Sequence, residues 1–203
     1  MQEVGRIIKV SGPLIVAEGM RNCKMFDVVR VSENNLIGEI IELRDDRASI
    51  QVYEETSGLG TGEKVVSTEA PLSVELGPGI ISGIYDGIQR PLTKLVETSG
   101  DRIDRGVDMP ALDHKKKWNF EPKVKTGDNV VAGDIIGVVQ ETKVVEHRIM
   151  VPYGVEGVVK SVKKGEHTID DDICVITTAK GDVKVKMYQK WPVRKGRPFK
   201  SKM

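Results

Sequence analysis

Two stretches of this chain copy one another at a fixed distance, and neither is long enough to bury a core alone. "VKTGDNVVAGDIIGVV" begins at Val124 and "VKKGEHTIDDDICVI" at Val162. Without a gap, Gly127 aligns with Gly165 and Asp134 with Asp172, 38 residues on in both cases. Each copy runs through a Gly-Asp or Gly-Glu turn, a short apolar pair, an acidic turn and an apolar strand. Turn residues interleaved with β-branched runs specify short strands. Two such halves, paired about a pseudo-twofold axis, share a core that neither closes by itself. The spacing therefore predicts a barrel-sandwich hybrid, an inserted β domain over 118–183. Between the halves lies "QETKVVEHRIMVPYGVEGVV", with a Pro-Tyr-Gly turn.

Residues 1–74 read as a second β unit. "VGRIIKV" and "PLIVAEG" flank the turn Ser11-Gly12-Pro13, and "FDVVRV", "LIGEIIEL" and "ASIQVYEE" follow. Five or six short antiparallel strands at this spacing close into a small barrel or a sandwich, and a barrel is expected. The fold class is mainly β, which suits a chain of 203 residues with 21 glycines and only 4% aromatics.

Residues 75–117 form the connector, with a different period. In "ELGPGIISGIYDGIQRPL", Ile80, Ile81, Ile84 and Ile88 fall at helical spacing after a Gly-Pro-Gly turn. Pro91 cannot continue a helix but can begin one, so a second short helix is predicted from there. Leu92, Leu95 and Val96 would form its stripe and Gly100 its stop.

Residues that could carry chemistry are few. Glu54 and Glu55 are adjacent carboxylates, but neighbours on a strand point to opposite faces, which argues against a catalytic dyad. "SGLGTGEK" at 57–64 does not satisfy the phosphate-loop pattern and no helix pattern follows it, so a wide hairpin turn is expected. His114, His147 and His167 lack metal-site spacing. His114 and His147 read as surface or strand residues. Cys23 and Cys174 read as free thiols in a reducing compartment. The formal net charge is +1, so no overall field favours nucleic acid or anionic membrane. No apolar run is long enough to span a bilayer. The stretch 184–203 holds Trp191 and Phe199 among basic residues and no acid, and reads as a basic linker rather than a nucleic-acid patch. No catalytic, cofactor-binding or metal-ligating residue is assigned.

The paired halves resemble the lipoyl and biotinyl carrier domains, whose modified lysine sits on a hairpin tip; Lys143 in "QETKVV" occupies that place. Thr142 precedes it where lipoyl domains have aspartate and biotin domains methionine. A carrier module with Lys143 as its attachment site is one alternative reading.

The whole chain resembles the N-terminal portion of the catalytic A (alpha) subunit of V-type and archaeal-type rotary ATPases. The matching stretches, in family order, are "GRIIKVSGPLIVAEGM", "IGEIIELRDDRASIQVYEETSGLGTGE", "LSVELGPGIISGIYDGIQRPL", "RGVDMPALD", "GDIIGVVQETKVVEHRIMVP" and "QKWPVRKGRP". The related non-catalytic subunit lacks the insertion with the repeat. The resemblance implies that the first barrel joins alternating catalytic and non-catalytic B subunits into a ring. It implies that "GPGIISGIYDGIQRPL" packs against a nucleotide-binding domain missing from this sequence. The insertion would then face peripheral stalk subunits. The family's P-loop and catalytic glutamate have no counterpart here, so Mg-ATP is expected to belong to the full-length subunit. No cofactor is expected for this stretch, which should neither hydrolyse ATP nor bind it tightly. A cytoplasmic place is implied, peripheral to the membrane, as a fragment of a longer subunit that couples ATP hydrolysis or synthesis to proton or sodium transport. A stand-alone scaffold that binds the ring is the other alternative.

Overall fold

The computed structural model describes residues 4–100 and 104–197; Phe199 of the basic stretch lies outside them. Two compact units divide the chain. One comprises the first 73 residues with Leu92–Met109 and Pro192–Arg194; the other comprises Val74–Pro91, Pro110–Trp191 and the residues after Arg194.

The first unit is a closed six-stranded barrel. Its strands are β1 (Val4–Ser11), β2 (Leu14–Glu18), β3 (Asp27–Val31), β4 (Leu36–Arg44), β5 (Arg47–Val52) and β6 (Lys64–Pro71). They pair antiparallel in the order β1-β2-β5-β4-β3-β6, and β6 returns to β1 through Val4–Val66. Alternate residues of β1, β2 and β5 point inward, so Ile7, Ile15, Ala17, Ala48 and Ile50 join Val29, Ile40 and Val65 in one core. Gly12 makes the β1–β2 turn at φ +60, a left-handed value that a side chain would strain. Closure corrects one expectation. The 57–64 stretch is not a hairpin turn, because β5 and β6 are not neighbours. It crosses to β1 instead, where Gly62 N donates to Ile7 O at 2.7 Å and Ile7 N to Glu63 O at 2.9 Å.

In the connector, β7 (Ser73–Leu76) pairs with the last strand, β16 (Gln189–Pro192). The helix predicted over Ile80–Ile88 is absent, and turns take its place. Gly83 and Gly87 each disfavour a helix by about 1 kcal/mol relative to alanine. The Asp86 carboxylate offers a competing acceptor to nearby backbone amides. The second predicted helix is present as α1 (Leu92–Ser99) directly after Pro91, and Gly100 N donates to Val96 O at 2.9 Å to close it. Of its expected stripe Leu95 is buried, whereas Val96 faces outward.

The second unit is the barrel-sandwich. Its strands are β8 (Lys117–Pro122), β9 (Asn129–Val130), β10 (Ile135–Gln140), β11 (Glu146–Met150), β12 (Gly157–Val162), β13 (Gly165–Thr168), β14 (Cys174–Thr178) and β15 (Gly181–Val185). One sheet runs β11-β10-β8-β13 and the other β15-β14-β12-β9. Each half thus gives its short second strand to the other half's sheet. Phe120, Val130, Ile136, Val159, Ile169, Ile173 and Ile176 lie buried in the shared core. Gly137 in β10 leaves room for the Phe120 ring, which a Cβ there would meet at 2.3 Å.

The gapless register does not hold through the turns. Asp134 Oδ2 accepts from Val131 N at 2.9 Å, and the residue that repeats this is Asp171, accepting from Thr168 N at 2.7 Å. Asp172, its expected counterpart, pairs instead with Lys184 at 2.8 Å. Burial agrees beyond the turn, since buried Ile136 corresponds to buried Ile173, 37 residues on like Asp134 and Asp171. A turn tolerates length changes that a packed strand face does not. The basic stretch is partly integral to this unit: Lys184 and Val185 complete β15, and Val185, Met187 and Trp191 are buried.

Candidate assembly surface

The connector loop from Gly77 to Pro91 has little regular structure, yet side chains from several places fix it. Glu141, immediately after β10, has a side chain only 1% exposed. Its Oε1 accepts from Gly79 N and Ile81 N, both at 2.9 Å, and its Oε2 lies 3.1 Å from His147 Nδ1. A carboxylate can accept several donors at once, so this one residue replaces the backbone partners the loop lacks.

The other end is held from within. Asp86 Oδ1 accepts from Ile88 N at 3.1 Å and Arg90 N at 2.8 Å, and its Oδ2 from Arg90 Nε at 2.7 Å. Burial works against ionised Asp86, but the Arg90 and Ile88 donors outweigh it and hold its carboxyl below the ordinary range. Gln89 adopts a left-handed φ of +64. Its side-chain amide accepts from Glu75 N at 2.6 Å and donates to Glu75 O at 2.8 Å, as a neighbouring strand would.

Ile80 packs on the barrel-sandwich core. Ile81 and Ile84 stay 59% and 66% exposed. An ordered loop that presents two large apolar side chains to solvent is suited to contact another protein surface. Burial raises the Tyr85 hydroxyl pKa, and the nearby Glu141 and Glu75 charges add to it.

The remaining candidates go separate ways. Glu54 accepts from Ile37 N and Gly106 N, while Glu55 accepts from Ser57 Oγ, so the two carboxylates turn to different donors. Lys143 is exposed in the β10–β11 turn, where the Thr142 hydroxyl accepts from Val145 N at 3.1 Å and Val144 is 91% exposed. His147 and His114 both face carboxylates rather than solvent alone. Sequence reasoning had no means of finding Glu141 as an anchor, since a single acid beside a turn has no period. Cys174 is buried, which pushes its thiol pKa up. Among the described residues, no group of three or more His, Cys, Asp or Glu could hold a metal ion, and no helix is long and apolar enough to cross a membrane.

Two family models match the chain. The beta-barrel domain of the ATP synthase alpha/beta family matches residues 7–69, and the ATP synthase alpha/beta subunit barrel-sandwich domain matches residues 109–194. Among curated relatives, the V-type ATP synthase alpha chain of Clostridioides difficile (strain 630) is 64% identical over 201 residues, covering 98% of this chain and 34% of the relative. The V-type ATP synthase alpha chain of Acetivibrio thermocellus is 62% identical over 200 residues with the same coverage, 98% and 34%. V-type ATP synthase alpha chain 1 of Clostridium tetani is 58% identical over 201 residues, covering 99% of this chain and 34% of its own length. The chain spans about a third of the length of the curated relatives it matches.

Proposed function

Because this chain belongs to the ATP synthase alpha/beta family and corresponds to the N-terminal region of its V-type alpha chains, we propose that it is an assembly region of the catalytic subunit of a rotary ATPase. In this reading the barrel joins alternating catalytic and non-catalytic B subunits into a ring. The barrel-sandwich faces peripheral stalk subunits. The connector loop rests on the subunit's nucleotide-binding domain, which holds Mg-ATP and performs the chemistry. The complete machine couples ATP hydrolysis or synthesis to proton or sodium transport, with this region cytoplasmic and peripheral to the membrane. These residues act by positioning rather than by catalysis.

The observation that carries the reading is the connector. The buried Glu141 carboxylate and the half-buried Asp86 carboxylate fix a loop whose Ile81 and Ile84 side chains stay exposed. The test is to co-express the full-length subunit with B subunits and read ring formation by native mass spectrometry. Ile84→Asp is expected to reduce the assembled fraction, since a charge in an apolar contact is costly. Unchanged assembly in Ile84→Asp and in an Ile81→Asp/Ile84→Asp double variant would reject the contact role. Peptide mass mapping around Lys143 separates the carrier alternative, which requires an added lipoyl or biotinyl mass there.

A further inference from the structure

His114 stands between two carboxylates. Its Nδ1 is 2.7 Å from Asp170 Oδ2, and its Nε2 is 3.2 Å from Glu75 Oε2. The ring meets Tyr188 edge-on at 5.3 Å between centroids, and its side chain is 26% exposed. A neutral imidazole has one N–H and one lone pair. In either neutral tautomer, one of the two carboxylates would face that lone pair. Only the imidazolium presents a donor to both.

The three residues come from segments far apart in sequence. Glu75 belongs to β7, His114 to the segment entering β8, and Asp170 to the turn between β13 and β14. We propose that His114 is a proton-linked staple, which as imidazolium ties β7 to the barrel-sandwich and on losing its proton releases that hold.

The surrounding charges favour the proton. From β7, Glu75 Oε2 also accepts from Leu112 N at 3.3 Å. On the same segment as His114, Asp113 Oδ1 accepts from Lys115 N and Lys116 N, and the Lys116 ammonium lies 3.9 Å from the Trp118 ring centre. In the facing turn, Asp171 accepts from Thr168 N and Asp172 is paired with Lys184, while Asp170 is shared between His114, Lys186 and the Tyr188 hydroxyl. On the segment after β15, Lys186 opposes the imidazolium, but it lies 3.6 Å from Asp170 and spends its charge there. Burial works against the charged ring, yet Asp170 and Glu75 outweigh it and raise the pKa above the ordinary histidine range. The His114 hydrogen bond in turn lowers the Asp170 carboxyl.

A pKa raised by folding fixes the sign. The staple contributes its full stabilisation below the unfolded value of about 6.5. That contribution is lost as pH rises through the higher folded value. A rise in pH through that folded value therefore loosens β7 at Glu75, while the Gln89 and Glu141 anchors, which need no histidine proton shared with Asp170, remain.

The experiment is ¹⁵N-imidazole NMR on the whole chain, from mildly acidic to mildly alkaline pH, combined with hydrogen-exchange protection at the Leu112 amide. Both His114 nitrogens are expected to be protonated near neutral pH, and Leu112 protection should fall across the same midpoint at which the ring loses its proton. Asp170→Asn, at a turn position half open to solvent, should shift that midpoint downward. His114→Gln should abolish the midpoint in the protection profile. A single neutral tautomer near neutral pH would overturn the proposal. So would an unmoved midpoint in Asp170→Asn, or an unchanged Leu112 profile in His114→Gln.

Discussion

Glu141 shows how much one side chain can decide. Its buried carboxylate accepts from two loop amides, at Gly79 and Ile81, and faces His147. Truncating it leaves donors without a partner, and an unsatisfied buried group costs about 1–3 kcal/mol. Glu141→Ala is thus expected to lose about 2 kcal/mol in urea denaturation, with hydrogen exchange accelerated at Gly79 and Ile81 and unchanged in barrel strand β4. Equal acceleration in β4 would mean that the variant acts globally and that Glu141 does not anchor the loop. None of this was legible in the sequence, where Glu141 stands between Gln140 and Thr142 and nothing marks it as buried. Glu54 and Glu55 read more easily, because the strand rule alone separates adjacent side chains, and the two do turn to different partners.

Among the elements, legibility followed the kind of signal each one carries. The barrel strands were legible because alternation survives into a closed sheet whatever the connections do. The start and stop of α1 were legible because Pro91 and Gly100 act through their own backbones. The apolar spacing of Ile80–Ile88 misled, since periodicity counts side chains and is blind to an acceptor such as Asp86 that captures the amides a helix needs. Likewise, 57–64 looked like a hairpin turn because chain neighbours suggest sheet neighbours, and barrel closure broke that link. The connector's acid response belongs at this scale. Asp86 is held below its ordinary carboxyl range by Arg90 and Ile88 despite burial. A pKa lowered by folding stabilises above the unfolded value of about 3.9 and loses that contribution as pH falls through the lower folded value. Asp86→Asn should therefore be less stable than the parent at neutral pH and approach it at strongly acidic pH, as read by urea denaturation across that range. A stability gap that persists undiminished in acid would show that the Asp86 charge is not what holds the loop.

For the whole molecule, the sequence reported the existence of two β units and of a repeat, but not the exact register between the halves. Turn length is invisible to a gapless comparison, whereas burial of Ile136 and Ile173 fixes the true correspondence. The exchange of β9 and β13 makes the barrel-sandwich cooperative across its halves. Ile136→Ala, in the first half, should cost about 2–5 kcal/mol and should lower exchange protection in β12 and β14 of the second half. Loss of protection confined to β8–β11 would show that the halves are separable. Calorimetry with Mg-ATP should give no saturable heat at micromolar concentration; a micromolar isotherm would place a nucleotide site in this region and overturn the division of labour proposed above. The exchanged strands also bear on how the protein is made. As the chain leaves the ribosome, β8 and β10 emerge before β13 exists to cover the edge of β8, and β9 has no partner until β12 follows. At ordinary translation rates of roughly 5–20 residues per second, that edge stays open for a few seconds in each nascent chain. On a polysome, a neighbouring nascent chain could donate the missing strand first, so crowded synthesis selects for sequences whose own second half arrives and pairs faster than a stranger's.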